Sequence, residues 1–351
     1  MGVVSFGIIG CGAIGQIHAG IIRDTKNARL IAVSDLTETL RISVAKTFQC
    51  TPYSNYLDLL KRDDIDAVVI CLPSGLHYEV TLDAAQAGKH VVVEKPIEID
   101  VWKSMEMVDA CQKAGVKLST ILQHRFDDSV QTLKKSVADG ALGRLLLGSS
   151  RTLWYRDPTY YAGSSWRGTW KMDGGGALIN QSIHYIDLLI HIMGPVERVF
   201  GKCDTLLHKN IEVEDIGLAS LQFRNGALGT IVGTTLAYPG LFTDLSIFGE
   251  LGSVSIKNDQ LDFYQIQAGS HPEFERLLHD QVEVKTGHSK AEGIDTTSHA
   301  RQYADIVDAI LNNREPLVTG QDGVHVLSVI KAIYESSRTG REVSLKANDY
   351  K

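Results

Sequence analysis

Six residues near the start of the chain, Gly10-Cys11-Gly12-Ala13-Ile14-Gly15, restrict its fold more than any other feature. They follow an apolar run, Val3 to Ile9, and precede a helix-like stretch from about Gln16 to Arg23. A second apolar run, Leu30 to Ser34, ends at Asp35, an acid about 20 residues beyond the glycines. A G-x-G-x-x-G sextet alone is weak evidence. Strand, glycine turn, helix, strand and acid in that order describe a dinucleotide-binding βαβ unit. The glycines allow a tight turn and bring a pyrophosphate to backbone N–H groups at a helix N-terminus. Gly10, Gly12, Ala13, Ile14 and Gly15 are the expected contacts. Asp35 is expected to accept hydrogen bonds from the adenosine ribose and to repel a 2′-phosphate, which favours NAD over NADP.

The alternation continues. Asp66 to Leu72 is nearly all apolar, as a parallel strand buried on both faces should be, and leads into Pro73-Ser74-Gly75-Leu76-His77. A helix from about Tyr78 to Ala87 follows, then the strand His90-Val91-Val92-Val93-Glu94-Lys95-Pro96, a helix over Val101–Ala114 and a strand over Val116–Ile121. Ligands of such sheets bind beyond the carboxyl ends of the strands. Leu72, Pro73, Ser74, His77, Glu94, Lys95 and Gln123, with His124 and Arg125, would therefore line one crevice. His77 either touches the cofactor or caps its helix. Lys95 stands out, because a lysine at a buried strand end needs something to offset the cost of its charge.

The second part has a different rhythm. From about Leu145 strand-like stretches succeed one another with little helix between them. Asn225-Gly226 joins two of them in the strongest short hairpin signal, and Gly249 to Gly252 suggests another hairpin. One helix opens after Gly174-Gly175-Gly176 and stops at Gly194-Pro195. Another carries Tyr303, Ile306, Val307, Ile310 and Leu311 on one apolar face. The expected architecture is α/β plus α+β: a doubly wound parallel Rossmann sheet over residues 1–123, then a substrate-binding and oligomerisation domain over 124–351 built on a large, mostly antiparallel open sheet. A last helix near 324–337 is placed to pack back on the first domain.

Composition narrows the function. A net charge of −7 disfavours nucleic acid or an anionic membrane as partner. No apolar run approaches the roughly 20 residues of a membrane span, and Met1 to Gly10 lacks the pattern of a signal peptide. The five cysteines, Cys11, Cys50, Cys71, Cys111 and Cys203, are scattered, with no C-x-x-C pair. They read as reduced thiols of a cytoplasmic protein, with neither a disulfide framework nor a zinc site.

The chemistry of the second part gathers in Asp173 to Asp187. Asn180 and His184 are i, i+4 and share a helix face, and Asp187 is placed to touch or orient the imidazole. A metal held by His184 and Asp187 lacks a third ligand nearby, so no metal is expected. Arg125, Arg156 and Arg167 could bind a carboxylate or diphosphate, and Trp154, Tyr155, Tyr160 and Tyr161 could stack on a sugar or base. Structural roles for each remain open.

A dinucleotide fold ending in Glu94-Lys95-Pro96, followed by Gly174-Gly175-Gly176 and His184-x-x-Asp187, resembles the Gfo/Idh/MocA oxidoreductase family over nearly the whole chain. More narrowly, Tyr160-Tyr161, Ser165-Trp166-Arg167-Gly168-Thr169-Trp170, Asn180-Gln181 and Asn210-Ile211-Glu212-Val213-Glu214-Asp215 resemble the bacterial UDP-N-acetyl-2-amino-2-deoxyglucuronate 3-dehydrogenases. The resemblance implies an NAD-dependent oxidation of a ring hydroxyl, at C3 in that branch. Lys95 and His184 would act on the reacting hydroxyl, with Arg125, Trp166, Arg167 and Asn180 helping to bind substrate. Inositol dehydrogenases of the family carry aspartate where this chain has Asn180, which favours the nucleotide-sugar branch. Two alternatives stay open: the same chemistry on a free sugar, glycoside or inositol, and a non-catalytic NAD-binding regulator. A homodimer or homotetramer is implied by analogy.

Overall fold

The computed structural model describes residues 2–163, 165–267, 271–279 and 295–345. Contacts divide these into two compact units. The first runs to Gln123 and also takes in residues 295–324, and the second comprises the remainder.

The first unit begins β1 (Val4–Ile9), α1 (Ala13–Asp24), β2 (Ala28–Ser34), α2 (Glu38–Phe48), β3 (Thr51–Tyr53), α3 (Tyr56–Leu60), β4 (Ala67–Ile70), α4 (His77–Gln86), β5 (His90–Val93), α5 (Val101–Ala114) and β6 (Leu118–Thr120). The strands form one parallel sheet in the order β3-β2-β1-β4-β5-β6. β1 and β4 are buried at every residue, which explains their unbroken apolar runs. The chain winds outward from β1 to β3, then crosses back to β4. That reversal opens the ligand crevice of such sheets between the carboxyl ends of β1 and β4. α5 shows the local logic: the Asp100 side chain accepts the Lys103 N–H at its start, and Gly115 ends it at φ 69°. The α2–β3–α3 segment gave no clear periodic signal in the sequence.

The second unit contains α6 (Asp128–Ala138), β7 (Leu145–Leu153), α7 (Thr159–Ala162), α8 (Ile183–Met193), β8 (Val196–Asp204), β9 (Ile216–Phe223), β10 (Leu228–Thr234), β11 (Thr243–Gly249), β12 (Gly252–Lys257), β13 (Gln260–Ile266) and α9 (Pro272–His279). Its eight-stranded sheet has the order β13-β12-β11-β7-β10-β9-β8-β14, with β14 at Val343–Ser344. Among the described strands of this sheet, only the β7–β10 pair is parallel. Both hairpins marked by glycine in the sequence form, as β9–β10 and β11–β12.

Two helices close the chain: α10 (Thr297–Leu311) and α11 (Gly320–Thr339). Here the structure departs from a division at residue 123 alone. α10 belongs to the first unit, where Tyr303, Ile306 and Val307 are buried in the core of β1 and α1. The Tyr303 ring meets Phe6 edge-on at 6.0 Å. The apolar face of α10 was legible in the sequence, but periodicity does not say which sheet a face covers. α11 starts in the first unit and continues in the second, where the Ser336 and Ser337 hydroxyls accept the Gly201 and Cys203 N–H groups of β8.

All five cysteines are free thiols. Among the described residues no helix is long and apolar enough to cross a membrane. Because Tyr303 is fully buried, Tyr303→Ala should destabilise the protein by about 3–5 kcal/mol. Urea unfolding measures this, and a loss below about 1 kcal/mol would contradict the placement of α10.

Candidate active site

Gly10 ends β1 at φ +103°, and a Cβ on it would lie 2.4 Å from the Cys71 carbonyl oxygen. One on Gly15 would lie 2.0 Å from the carbonyl oxygen of Gly10. Neither position has room for a side chain. Gly12 differs: nothing lies within 4 Å of its would-be Cβ, and no side chain caps α1 at this N-terminus. Open space in front of the first N–H groups of Ala13, Ile14 and Gly15 suits a pyrophosphate.

Asp35 does more than end β2. One carboxylate oxygen accepts the Cys11 N–H at 2.8 Å and the other the Thr37 N–H at 2.7 Å, tying the glycine turn to the neighbouring strand end. Leu72 and Pro73 are half-buried beyond β4, and Ser74 is buried at the start of a 3-10 turn. Gln123 is buried after β6, and its Oε1 has no hydrogen-bond partner among the described residues. His77 resolves its two alternatives differently. It is fully buried, with Nδ1 3.0 Å from the Pro96 carbonyl oxygen and Nε2 2.9 Å from that of Leu72. Burial lowers its pKa. Its ring clamps two loops together, so the expectation of a ring contact to the cofactor gives way to this structural role.

Lys95 is half-buried immediately beyond β5, and its peptide bond to Pro96 is cis. Beneath it the Glu94 carboxylate is 7% exposed. Oε1 meets His18 Nε2 at 2.7 Å and Oε2 accepts the Lys95 N–H at 3.0 Å. The other ring nitrogen of His18 faces the Tyr303 hydroxyl at 2.9 Å. Burial works to raise the pKa of Glu94. The His18 hydrogen bond and the nearness of the His18, Lys95 and His299 side chains outweigh burial and hold it at about 2. Glu94 is thus an ionised buried anchor that fixes the backbone carrying Lys95.

In the second unit, Ala177–Gln181 forms a π-helical turn before α8, so the helix is not continuous α from the glycines onward. Such turns recur at functional sites. From Ala177 to Ile190 only Asn180 and His184 keep more than slight exposure. The Glu214 carboxylate accepts the N–H groups of Gly176 and Leu178 at 2.8 and 2.9 Å and the Tyr334 hydroxyl at 2.8 Å. It serves as a cap for this turn, and burial pushes it up to about 7 against those hydrogen bonds. A Cβ on Gly176 would lie 1.8 Å from the Glu214 carbonyl oxygen. Asp173, also buried, accepts the Asn180 amide at 2.8 Å and the Gly168 N–H at 2.9 Å.

One expectation needs correction. Arg125 is buried, and its guanidinium grips Asp187 through bonds of 2.8 and 2.6 Å. It is a packing ion pair between the chain after β6 and α8, and removing either partner should cost about 3–5 kcal/mol. The Arg125 guanidinium is therefore committed to Asp187 and is not open to a substrate anion. The other two arginines behave differently. Arg156 lies over Trp154 and Tyr160 at 4.9 and 5.3 Å, and Arg167 over Tyr160 and Trp166 at 4.9 and 5.0 Å. The Tyr160 hydroxyl accepts the Gln181 amide at 3.3 Å, joining this cationic, aromatic group to the turn that carries Asn180.

Residues 4–122 match a family described as "Oxidoreductase family, NAD-binding Rossmann fold", and residues 130–255 match the "GFO/IDH/MocA C-terminal domain". The WlbA dehydrogenase of Bordetella pertussis, solved with NADH and UDP-GlcNAcA, is 33% identical. The match covers 98% of each chain, with a TM-score of 0.89. The chain belongs to the Gfo/Idh/MocA oxidoreductase family. Among other relatives, the myo-inositol 2-dehydrogenase of Thermotoga maritima is 28% identical over 97% of this chain and 98% of its own length. The D-glucoside 3-dehydrogenase of Escherichia coli is 25% identical over 96% of each.

This Gfo/Idh/MocA chain is thus an NAD-binding oxidoreductase. Sequence reasoning missed His18, the hold of Asp173 on Asn180 and the capping role of Glu214. His18 and Asp173 have partners 76 and 7 residues away, and no spacing rule links such pairs. Glu214 lies in the motif around 210–215, and its neighbour Asp215 accepts the N–H groups of Leu206, Leu207 and His208. That motif scaffolds the site. Gly12→Ala should fold normally yet bind NAD at least about tenfold more weakly, because its methyl enters the pyrophosphate space. Gly15→Ala should lower the melting temperature. NADH fluorescence titration and thermal unfolding separate the two effects, and equal NAD affinity in Gly12→Ala would count against this cradle.

Proposed function

We propose that the protein is an NAD-dependent dehydrogenase of a UDP-linked N-acetylglucosaminuronate, oxidising the sugar's C3 hydroxyl. The observation that carries the substrate class is the pair of arginines stacked on Tyr160 and flanked by Trp154 and Trp166. Fixed guanidinium groups recognise carboxylates and phosphates, and aromatic faces suit a sugar or base. The likeness to WlbA, solved with UDP-GlcNAcA, supports the same class. Asn180 fits as well: an aspartate there would set a second carboxylate 2.8 Å from Asp173 Oδ1, which like charges disfavour.

Oxidation of a secondary alcohol removes the hydroxyl proton as hydride leaves the same carbon. NAD, when bound, accepts that hydride. His184 takes the proton as general base, a role suited to an imidazole near neutral pH. Lys95 donates a hydrogen bond to the oxygen and stabilises its developing negative charge. Asn180, Arg156, Trp166 and Arg167 orient the substrate.

Turnover followed by NADH absorbance should be far higher with the UDP-linked uronate than with myo-inositol, a free hexose or a simple glucoside. Lys95→Ala and His184→Ala should each lose about 100-fold or more in kcat while still binding NAD. Arg167→Ala should act mainly on KM. Near-normal turnover in either of the first two variants sinks the catalytic assignment, and equal rates across the substrate panel sink the substrate class.

A further inference from the structure

His77 stands at the start of α4, and both nitrogens of its ring face carbonyl oxygens. Nδ1 lies 3.0 Å from the Pro96 oxygen and 3.2 Å from that of Ile97, while Nε2 lies 2.9 Å from that of Leu72. Carbonyls only accept, so each side of the ring needs an N–H. Burial holds the His77 pKa below the ordinary imidazole value, against the pull of the three carbonyls and of Glu94. Near neutral pH the ring therefore carries one proton, which serves one side and leaves a lone pair toward the other. Nδ1 is the better place for that proton, because two carbonyl oxygens share it there and one faces Nε2.

Both carbonyls on the Nδ1 side belong to the residues that follow Lys95. Glu94 holds Lys95 from the preceding side by accepting its N–H at 3.0 Å. Ile97 is 1% exposed, and a Cβ on Gly323 of α11 would lie 3.0 Å from Ile97 Cβ and 2.5 Å from Thr120 Oγ1. The segment leaving β5 is thus closely packed, and the His77 N–H adds a directional hold on its backbone.

We propose that His77 is a positioning residue for Lys95: with its proton on Nδ1, it ties the Pro96 and Ile97 carbonyls to the start of α4 and so aims the Lys95 ammonium at the reacting oxygen. The claim rests on Lys95 acting on that hydroxyl. Misplacing a reacting group by about 1 Å costs up to about 100-fold in rate. A lost hold on this segment is therefore read in kcat, with little change in KM.

The test compares two amides in place of the ring, since asparagine sets its NH2 near Nδ1 and glutamine near Nε2. His77→Gln should lower kcat by about tenfold or more, with KM for the sugar within about twofold. His77→Asn should recover most of that rate. In a Lys95→Ala background, His77→Gln should add no further loss. A full additional loss there, or equal kcat in the two His77 variants, overturns the proposal. Should His77→Gln not fold, 15N-histidine NMR of the wild-type protein at about pH 7.5, above the ordinary imidazole value, decides instead. The His77 ring proton is expected on Nδ1, and a proton on Nε2 overturns the proposal. Lys95→Ala alone separates the two layers. If it turns over normally, the catalytic assignment itself falls; if it is impaired while His77→Gln is not, only the positioning claim fails.

Discussion

A carboxylate taken out of water at a strand end must be met by donors, or it neutralises and the backbone around it loosens. Glu94 meets that demand with His18 from α1 and the N–H of Lys95, and Tyr303 of α10 completes the chain of contacts behind it. The three side chains stand at positions 18, 94 and 303, so one buried network gathers distant parts of the chain around the end of β5. The glycine turn, the clamp of His77 on the Pro96 carbonyl and the direction of Lys95 all depend on that strand end staying where it is.

The second unit solves a related problem. A helix that leaves Asn180 and His184 partly exposed while its other faces are packed needs a rigid start. Gly176 lets the Glu214 backbone approach, and the Glu214 side chain satisfies two N–H groups that would otherwise be buried without partners, each worth about 1–3 kcal/mol. Asp173 then sets the Asn180 amide, and the Arg125–Asp187 pair pins α8 one turn further on. Polar groups that read as candidate ligand contacts in the sequence are thus divided between holding the site and facing it.

That division marks the limit of what the sequence made legible. The Rossmann half was readable because strand burial, glycine turns and helix starts are local signals. The antiparallel second half was readable from Asn225-Gly226 and the spacing of its strands. The home of α10 was not, since an apolar face at helical spacing is the same whichever sheet it covers. Arg125 and Arg167 are indistinguishable as letters. Only the tertiary structure shows one locked to Asp187 and the other stacked on Tyr160 and Trp166. The π turn at Ala177–Gln181 was hidden because the i, i+4 spacing of Asn180 and His184 suits an ordinary helix.

In the proposed reaction, hydride leaves C3 of a UDP-linked uronate for NAD. The most direct measurement uses that sugar deuterated at C3, with the nicotinamide product examined by mass spectrometry. NADH one mass unit heavier and a slower initial rate than with the protiated sugar are expected. Unlabelled NADH from the deuterated sugar would contradict the proposed reaction, and so would the absence of NADH formation.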